Sequence, residues 1–276
     1  MSDPGDLTEL QSHFAFGENW ASYAEKIKEE EIDEAVKGLA RLCGGRLDGQ
    51  RFLDIGCGSG LHSLAALRLG AVEVVCVDID PASVATAKSV LSRHSAGAAF
   101  RVEHASVFDM EPARWGQFDT VYSWGVLHHT GDMYRALRAA AGLVKPGGTF
   151  VVALYRKTWM CWFWRLEKRW YARASKRAQD VATSVYLWLM ARRLGRRYQA
   201  YVNTYRSWRG MNFHNDVHDW LGGYPYESIT ADEAQRFMAG IGFKGARVFA
   251  SKRGFFGRSC GVFGSGCDEY TYVRSR

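Results

Sequence analysis

The stretch that most constrains this chain is residues 51–67, "RFLDIGCGSGLHSLAAL". A strand-like apolar run meets a helix-like apolar run across Gly56-x-Gly58-x-Gly60. Glycines at such a junction let the backbone take dihedrals closed to other residues and approach a ligand closely. A dinucleotide fingerprint would carry its third glycine at position 61, which is Leu61. Downstream, short apolar runs alternate with amphipathic ones: "VEVVCVDI", "ASVATAKSVL", "AFRVEHASV", "FDTVYSW", "MYRALRAAAGLV", "TFVVALY". Strand–helix alternation predicts βαβ units, hence an α/β fold built on a doubly wound, mostly parallel sheet. "KPGGTF" at 145–150 reads as a tight turn feeding the fifth strand.

Outside this rhythm the chain reads differently. Residues 8–48 read as helical, with Trp20, Tyr23, Ile27, Ile32, Ala35, Leu39 and Leu42 at three- and four-residue steps and Gly44-Gly45 as the stop. From 156 onward the alternation ceases until Thr230. The segment up to Val202 reads as two basic helices rich in aromatics, and "RSWRGMNFHNDVHDWLGGYPYE" as an ordered loop. "TADEAQRFMAGIGF" resumes the pattern, with Thr230 as N-cap, Glu233 completing a capping box, and Gly240 and Gly242 at the end. "ARVFAS" and "DEYTYVRS" read as closing strands joined by a wide glycine-rich hairpin loop. The organisation is therefore an N-terminal helical cap (1–48), a Rossmann-like core (49–155), a basic aromatic-rich insertion after the fifth strand (156–227) and the remainder of the core (228–276).

Composition bounds the rest. An apolar fraction of 47% with 14% aromatics supports a buried core. No apolar run approaches the roughly 18–20 residues of a membrane span. "MSDPGDLTEL" lacks the character of a secretory signal. Six cysteines (43, 57, 76, 161, 260, 267) show no C-x2-C spacing, so reduced thiols in a cytoplasmic protein are expected, with pairing or metal binding by Cys260 and Cys267 as the alternative. The net charge of +7 is uneven. Residues 156–209 hold fourteen Lys or Arg against two acids, a balance of +12 that leaves the remainder net negative by 5. Such asymmetry points to an acidic partner: a membrane surface, an anionic substrate or a nucleic acid.

"FLDIGCGSG", "VVCVDIDPASVATAK", "FDTVYSWGVLHHT" and "LVKPGGTFVVALY" follow one another at the spacing of a known family. Together they resemble the class I S-adenosylmethionine-dependent methyltransferases, in particular those acting on ubiquinone and menaquinone precursors and on small molecules. The resemblance covers roughly residues 50–155, with the last helix and two strands as its tail. It implies a seven-stranded sheet and S-adenosyl-L-methionine as cofactor, with S-adenosyl-L-homocysteine as product. The opening "FAFGENW", the "GGYPYE" loop and the "GSGCDEY" finish also resemble a bacterial subgroup of these enzymes, without naming an acceptor.

Carried over, the resemblance has Gly56, Gly58 and Gly60 lining the methionine and ribose, Asp54 beside the amino group, Asp78 on the ribose hydroxyls and Ile79 on adenine. Many relatives have a Gly-Asp pair after the third strand. Here Ser106 and Val107 stand instead, so adenine contact there falls to backbone amides or the Ser106 hydroxyl. Ser123, Trp124 and Gly125 would floor the methionine end.

Methyl transfer from a sulfonium needs alignment, exclusion of water and removal of an acceptor proton. "HHT" at 128–130 lies where such sheets bind ligands, and His129 is the favoured base, with His128 the other candidate. His214, His218, Tyr224 and Tyr226 make the 214–227 segment a candidate lid over the acceptor, against the alternative of a purely structural loop. Trp20 and Tyr23 either close the pocket or staple the cap helix to the core. No metal is expected, because the His214-x-x-x-His218 pair lacks clear further ligands. Trp159, Trp162, Trp164 and Trp170 among Arg and Lys suit peripheral contact with an anionic membrane, or burial against the core or a second subunit. No RNA module is recognisable, and the (N/D)PP(Y/F) motif of adenine methylases is absent, which argues against nucleic acid. The expected reaction is methyl transfer to O, N or C of a small or lipid-like acceptor. Two rivals are a cyclising or decarboxylating use of the same cofactor, and a non-catalytic cofactor-binding module.

Overall fold

The computed structural model describes residues 27–95, 97–209, 213–249 and 266–276. Trp20, Tyr23 and Cys260, and the side chain of His214, lie outside that description.

A seven-stranded sheet organises the chain in the order β3-β2-β1-β4-β5-β7-β6. Its strands are β1 (Arg51–Ile55), β2 (Glu73–Asp78), β3 (Phe100–His104), β4 (Phe118–Trp124), β5 (Val144–Tyr155), β6 (Phe243–Phe249) and β7 (Cys267–Arg274). The first five pair in parallel, while β7 runs antiparallel to both β5 and β6. Helices cover both faces, so the inner strands read as unbroken apolar runs: Val74–Val77 of β2 are all buried. Edge strand β3 is largely exposed by contrast. Chain order reverses between β1 and β4, and the crevice at the carboxyl ends of those strands is where open α/β sheets take ligands.

Sequence signals account for the helix limits. Helix α1 (Glu29–Cys43) starts on three glutamates and buries Ile32, Ala35, Leu39 and Leu42. Gly44, at φ +86°, ends it in the left-handed conformation. Helix α2 (Leu61–Arg68) leaves the glycine turn, and α3 (Pro81–His94) starts from the Asp80 cap with Pro81 at its first position. A short α4 (Pro112–Trp115) precedes β4. Asp132 caps α5 (Met133–Gly142) by accepting the Arg135 N–H.

Two readings need correction. The "KPGG" turn does not precede the fifth strand but bulges within it: Val144 pairs with Phe118, and regular pairing resumes at Thr149 with Thr120. Lys145 Nζ ties the bulge to Asp119 at 2.8 and 2.9 Å. The insertion holds four helices rather than two and a loop: α6 (Cys161–Tyr171), α7 (Lys176–Leu194), α8 (Tyr198–Arg209) and α9 (Phe213–Gly222). In α9, Phe213, Val217 and Leu221 recur every four residues and bury against Trp164, Tyr171 and Tyr205. That apolar stripe outweighs the turn-forming look of its Asn, Asp and Gly residues. The chain then rejoins the sheet, where Ile229 donates to Tyr155 O and accepts from Lys157 N–H. Helix α10 (Ala231–Gly240) carries the Thr230–Glu233 capping box.

Candidate active site

The glycine turn has the geometry of a ligand cradle. Gly56, Gly58 and Gly60 take φ of +75°, +51° and +77°. A Cβ at Gly56 would stand 2.4 Å from Val126 Cγ2, and one at Gly60 would stand 3.1 Å from the backbone of Ala87. The turn is thus wedged between the β4 exit loop and α3. Asp54 is buried beneath it, accepting from Ser63 Oγ at 2.6 Å. Desolvation pushes its carboxyl up to about 7, against the opposing Ser63 hydrogen bond. A buried acid with no cation beside it suits an incoming ammonium. His62, on the first turn of α2, tilts against the Tyr122 ring at 5.2 Å, and burial drives it down to about 4, so it stays neutral.

At the end of β2, Asp78 accepts the N–H of Gly58 at 2.9 Å and of Asp80 at 2.9 Å. The carboxylate therefore shapes the glycine turn, and burial raises its pKa. Each oxygen retains acceptor capacity for a hydroxyl. Ile79 is half-buried and its carbonyl meets His104 Nε2 at 2.9 Å. Ser106 caps the 3₁₀ turn 107–109, accepting from Phe108 N–H. Val107 points its side chain into the core, so it can offer a ligand only backbone. Beyond β4, Ser123 Oγ donates to Ile55 O at 3.0 Å and Trp124 Nε1 donates to Glu269 at 2.9 Å. Both side chains brace the sheet. Gly125 follows at φ +77°, and a Cβ added there would meet nothing within 4 Å.

His128 and His129 form a 3₁₀ turn after β4, their rings 4.4 Å apart. His129 Nδ1 donates to Pro225 O at 2.7 Å, since a carbonyl can only accept, and this leaves the lone pair on Nε2. His128 is fully buried and its Nδ1 accepts from Tyr155 N–H at 3.4 Å. Its Nε2 is buried and makes no hydrogen bond of normal geometry among the described residues. Burial, His129 and Lys168 hold His128 well below the ordinary histidine range.

The segment 223–227 grips this turn from outside. Glu227 N–H donates to His128 O at 3.0 Å, and its carboxylate accepts from Met133 N–H at the start of α5 at 2.8 Å. Gly223 lies against His129: a Cβ there would be 2.8 Å from Cε1. Tyr226, buried, sets its ring 5.2 Å from Tyr155 and its hydroxyl 3.3 Å from Cys161 Sγ. Tyr224 is buried as well. His218 sits elsewhere, inside the insertion, bonded to the Tyr171 hydroxyl at 2.6 Å. From α9 it is Trp220 that reaches Tyr155, at 5.2 Å edge-on.

Sequence reading missed Tyr155, Trp220, Pro225 and Lys168. The Lys168 ammonium is fully buried, 3.6 Å over the Trp220 ring, and donates to Trp220 O. Desolvation lowers its pKa, against the opposing charge of the neighbouring Glu167. Its helical spacing from Trp164 and Tyr171, four and three residues away on the buried stripe of α6, was the available signal. Among the described residues no three His, Cys, Asp or Glu cluster as a metal site.

Comparison with known proteins gives concordant results. Residues 53–152 match the family model described as a methyltransferase domain. The ubiquinone biosynthesis O-methyltransferase of Xanthomonas campestris pv. campestris is 39% identical over 112 residues, 41% of this chain and 46% of that protein. The matched part thus spans less than half of that relative's length. Among solved structures, the SAH-bound magnesium protoporphyrin IX methyltransferase of Synechocystis PCC 6803 superposes with a TM-score of 0.52 at 17% identity, covering 88% of this chain and 82% of that one. An S-adenosylmethionine-dependent methyltransferase from Mesorhizobium loti gives 0.53 at 18% identity, covering 88% and 100%. Residues 53–152 thus match a methyltransferase domain, and the strand order described above is the fold that these solved structures share.

Proposed function

We propose that this protein transfers a methyl group from S-adenosyl-L-methionine to an oxygen or nitrogen of a small aromatic, lipid-like acceptor, with His129 as general base. When bound, the cofactor supplies an activated sulfonium methyl, so the protein's own work is to orient, exclude water and take a proton. Gly56, Gly58 and Gly60 would hold the donor by backbone approach, Asp54 its ammonium, and Asp78 its ribose. The observation that carries the reading is the His129 imidazole at the switch-point edge, its Nδ1–H fixed on Pro225 O. That bond sets the tautomer whose Nε2 accepts a proton. Tyr155, Tyr226 and Trp220 meet as an aromatic cluster beside the histidines, which favours an acceptor with an aromatic ring. The ubiquinone-biosynthesis relatives favour a phenolic, quinol-like compound, and the basic insertion favours meeting it at an anionic membrane. Incubation with methyl-labelled donor and a short-chain catechol quinol tests this. His129→Gln is expected to cut kcat by about 10²–10⁴-fold, with SAH affinity unchanged. Full activity in that variant, or label on no acceptor at all, overturns it.

A further inference from the structure

Helices α6 and α7 turn a large apolar face to solvent. Trp162 is 62% exposed, Trp170 52% and Trp188 57%, and Trp159, in the turn leading into α6, is 66% exposed. In α6, Trp162, Leu166 and Trp170 follow at steps of four, on the side away from buried Trp164, Lys168 and Tyr171. The longest helix of the insertion, α7, buries none of its 19 residues. Val181, Val185, Trp188 and Leu189 line its outer side. A face of this kind marks an interaction site rather than ordinary surface. Between Leu166, Trp170 and Ala174 lies an open groove of about 410 Å³ edged by Arg169 and Arg173. Apolar floor and guanidinium rim together match an amphiphile with an anionic head.

Charge selects the occupant. The segment 156–209 carries +12, so two copies meeting through this face would set like charge against like. The aliphatic members of the stripe give a nucleic-acid backbone nothing to bind. Tryptophan at headgroup depth, with Arg and Lys at the lipid phosphates, is the arrangement of an interfacial helix. No helix among the described residues is long and apolar enough to cross a membrane. We propose that the outer face of α6 and α7 docks the protein on an anionic phospholipid surface, the groove beside Trp170 receiving a lipid phosphate. The inference deepens the lipid-like acceptor reading by naming where the enzyme meets it, and its test needs neither acceptor nor donor.

Cosedimentation and tryptophan emission are measured with phosphatidylcholine vesicles and with vesicles enriched in phosphatidylglycerol. Binding to the anionic vesicles alone is expected, with blue-shifted emission and a steady loss as salt rises. Combining Trp159→Ser, Trp162→Ser and Trp170→Ser abolishes binding and shift while leaving SAH affinity intact. Arg169→Gln with Arg173→Gln weakens partitioning roughly 25-fold, about fivefold for each charge removed. Three results overturn the proposal: no anionic-vesicle binding at low salt, a dimer that the tryptophan substitutions dissociate, or tighter binding to single-stranded RNA that the same substitutions abolish. Failure here leaves the methyl-transfer reading standing, because that is assayed with a soluble acceptor.

Discussion

Gly223→Ala tests the base assignment without touching the base. The added methyl stands 2.8 Å from His129 Cε1 and 3.3 Å from Asp219 O. Carbon atoms at rest are about 3.5–4.0 Å apart, so the imidazole must retreat by roughly 1 Å. It cannot do so and keep its 2.7 Å bond to Pro225 O. A displacement of that size in a reacting group costs about 10²-fold in rate, whereas relieving the crowding costs about 1–3 kcal/mol of stability. The expected signature is a kcat about a hundredfold lower with the donor's KM unchanged, and a modest drop in Tm. Steady-state kinetics with labelled donor reads the first, and thermal unfolding the second. The cycle is closed in a His129→Ala background, where the methyl finds space and Gly223→Ala should add almost nothing. A kcat within twofold of the parent, or the same loss in both backgrounds, refutes the placement of His129 at the reacting centre.

Two further outcomes follow from the cofactor end. Gly56→Ala puts a methyl into Val126 and forces a left-handed φ of +75°, so SAH affinity by calorimetry should fall sharply; Val126→Ala should restore the part due to the clash but not the backbone strain of about 1–2 kcal/mol. Asp54, pushed up to about 7 by burial, has its folded pKa above its unfolded value of about 4. Its contribution to apo-protein stability is complete below that unfolded value and lost as pH rises through 7; urea midpoints across pH 4–8 should therefore fall less steeply in Asp54→Asn than in the parent.

Local pattern carried much of this protein. The alternation of apolar runs made the parallel sheet readable, because strands covered by helices on both faces must be apolar throughout. The Thr230–Glu233 capping box and the Asp80–Pro81 helix start are decided by backbone groups within four residues of each other. The four-helix insertion was half legible. Its α9 carried a four-residue apolar step that turn-forming residues obscured, and Lys168 hid among aromatics because a lysine reads as surface until its neighbours are known.

Sequence alone, then, determined the strand–helix order, the glycine turn and the place of the two histidines after β4. Each depends on neighbours along the chain. Only the tertiary structure decided what those groups are to one another. Ser123 and Trp124 turned out to brace the sheet, because their partners, Ile55 and Glu269, lie 68 and 145 residues away. Glu227 and Pro225 hold the His128–His129 turn across nearly a hundred residues, contacts no local periodicity encodes. The outward face of α6 and α7 was likewise invisible as such. A helix with apolar residues on two sides does not say which side the core will take.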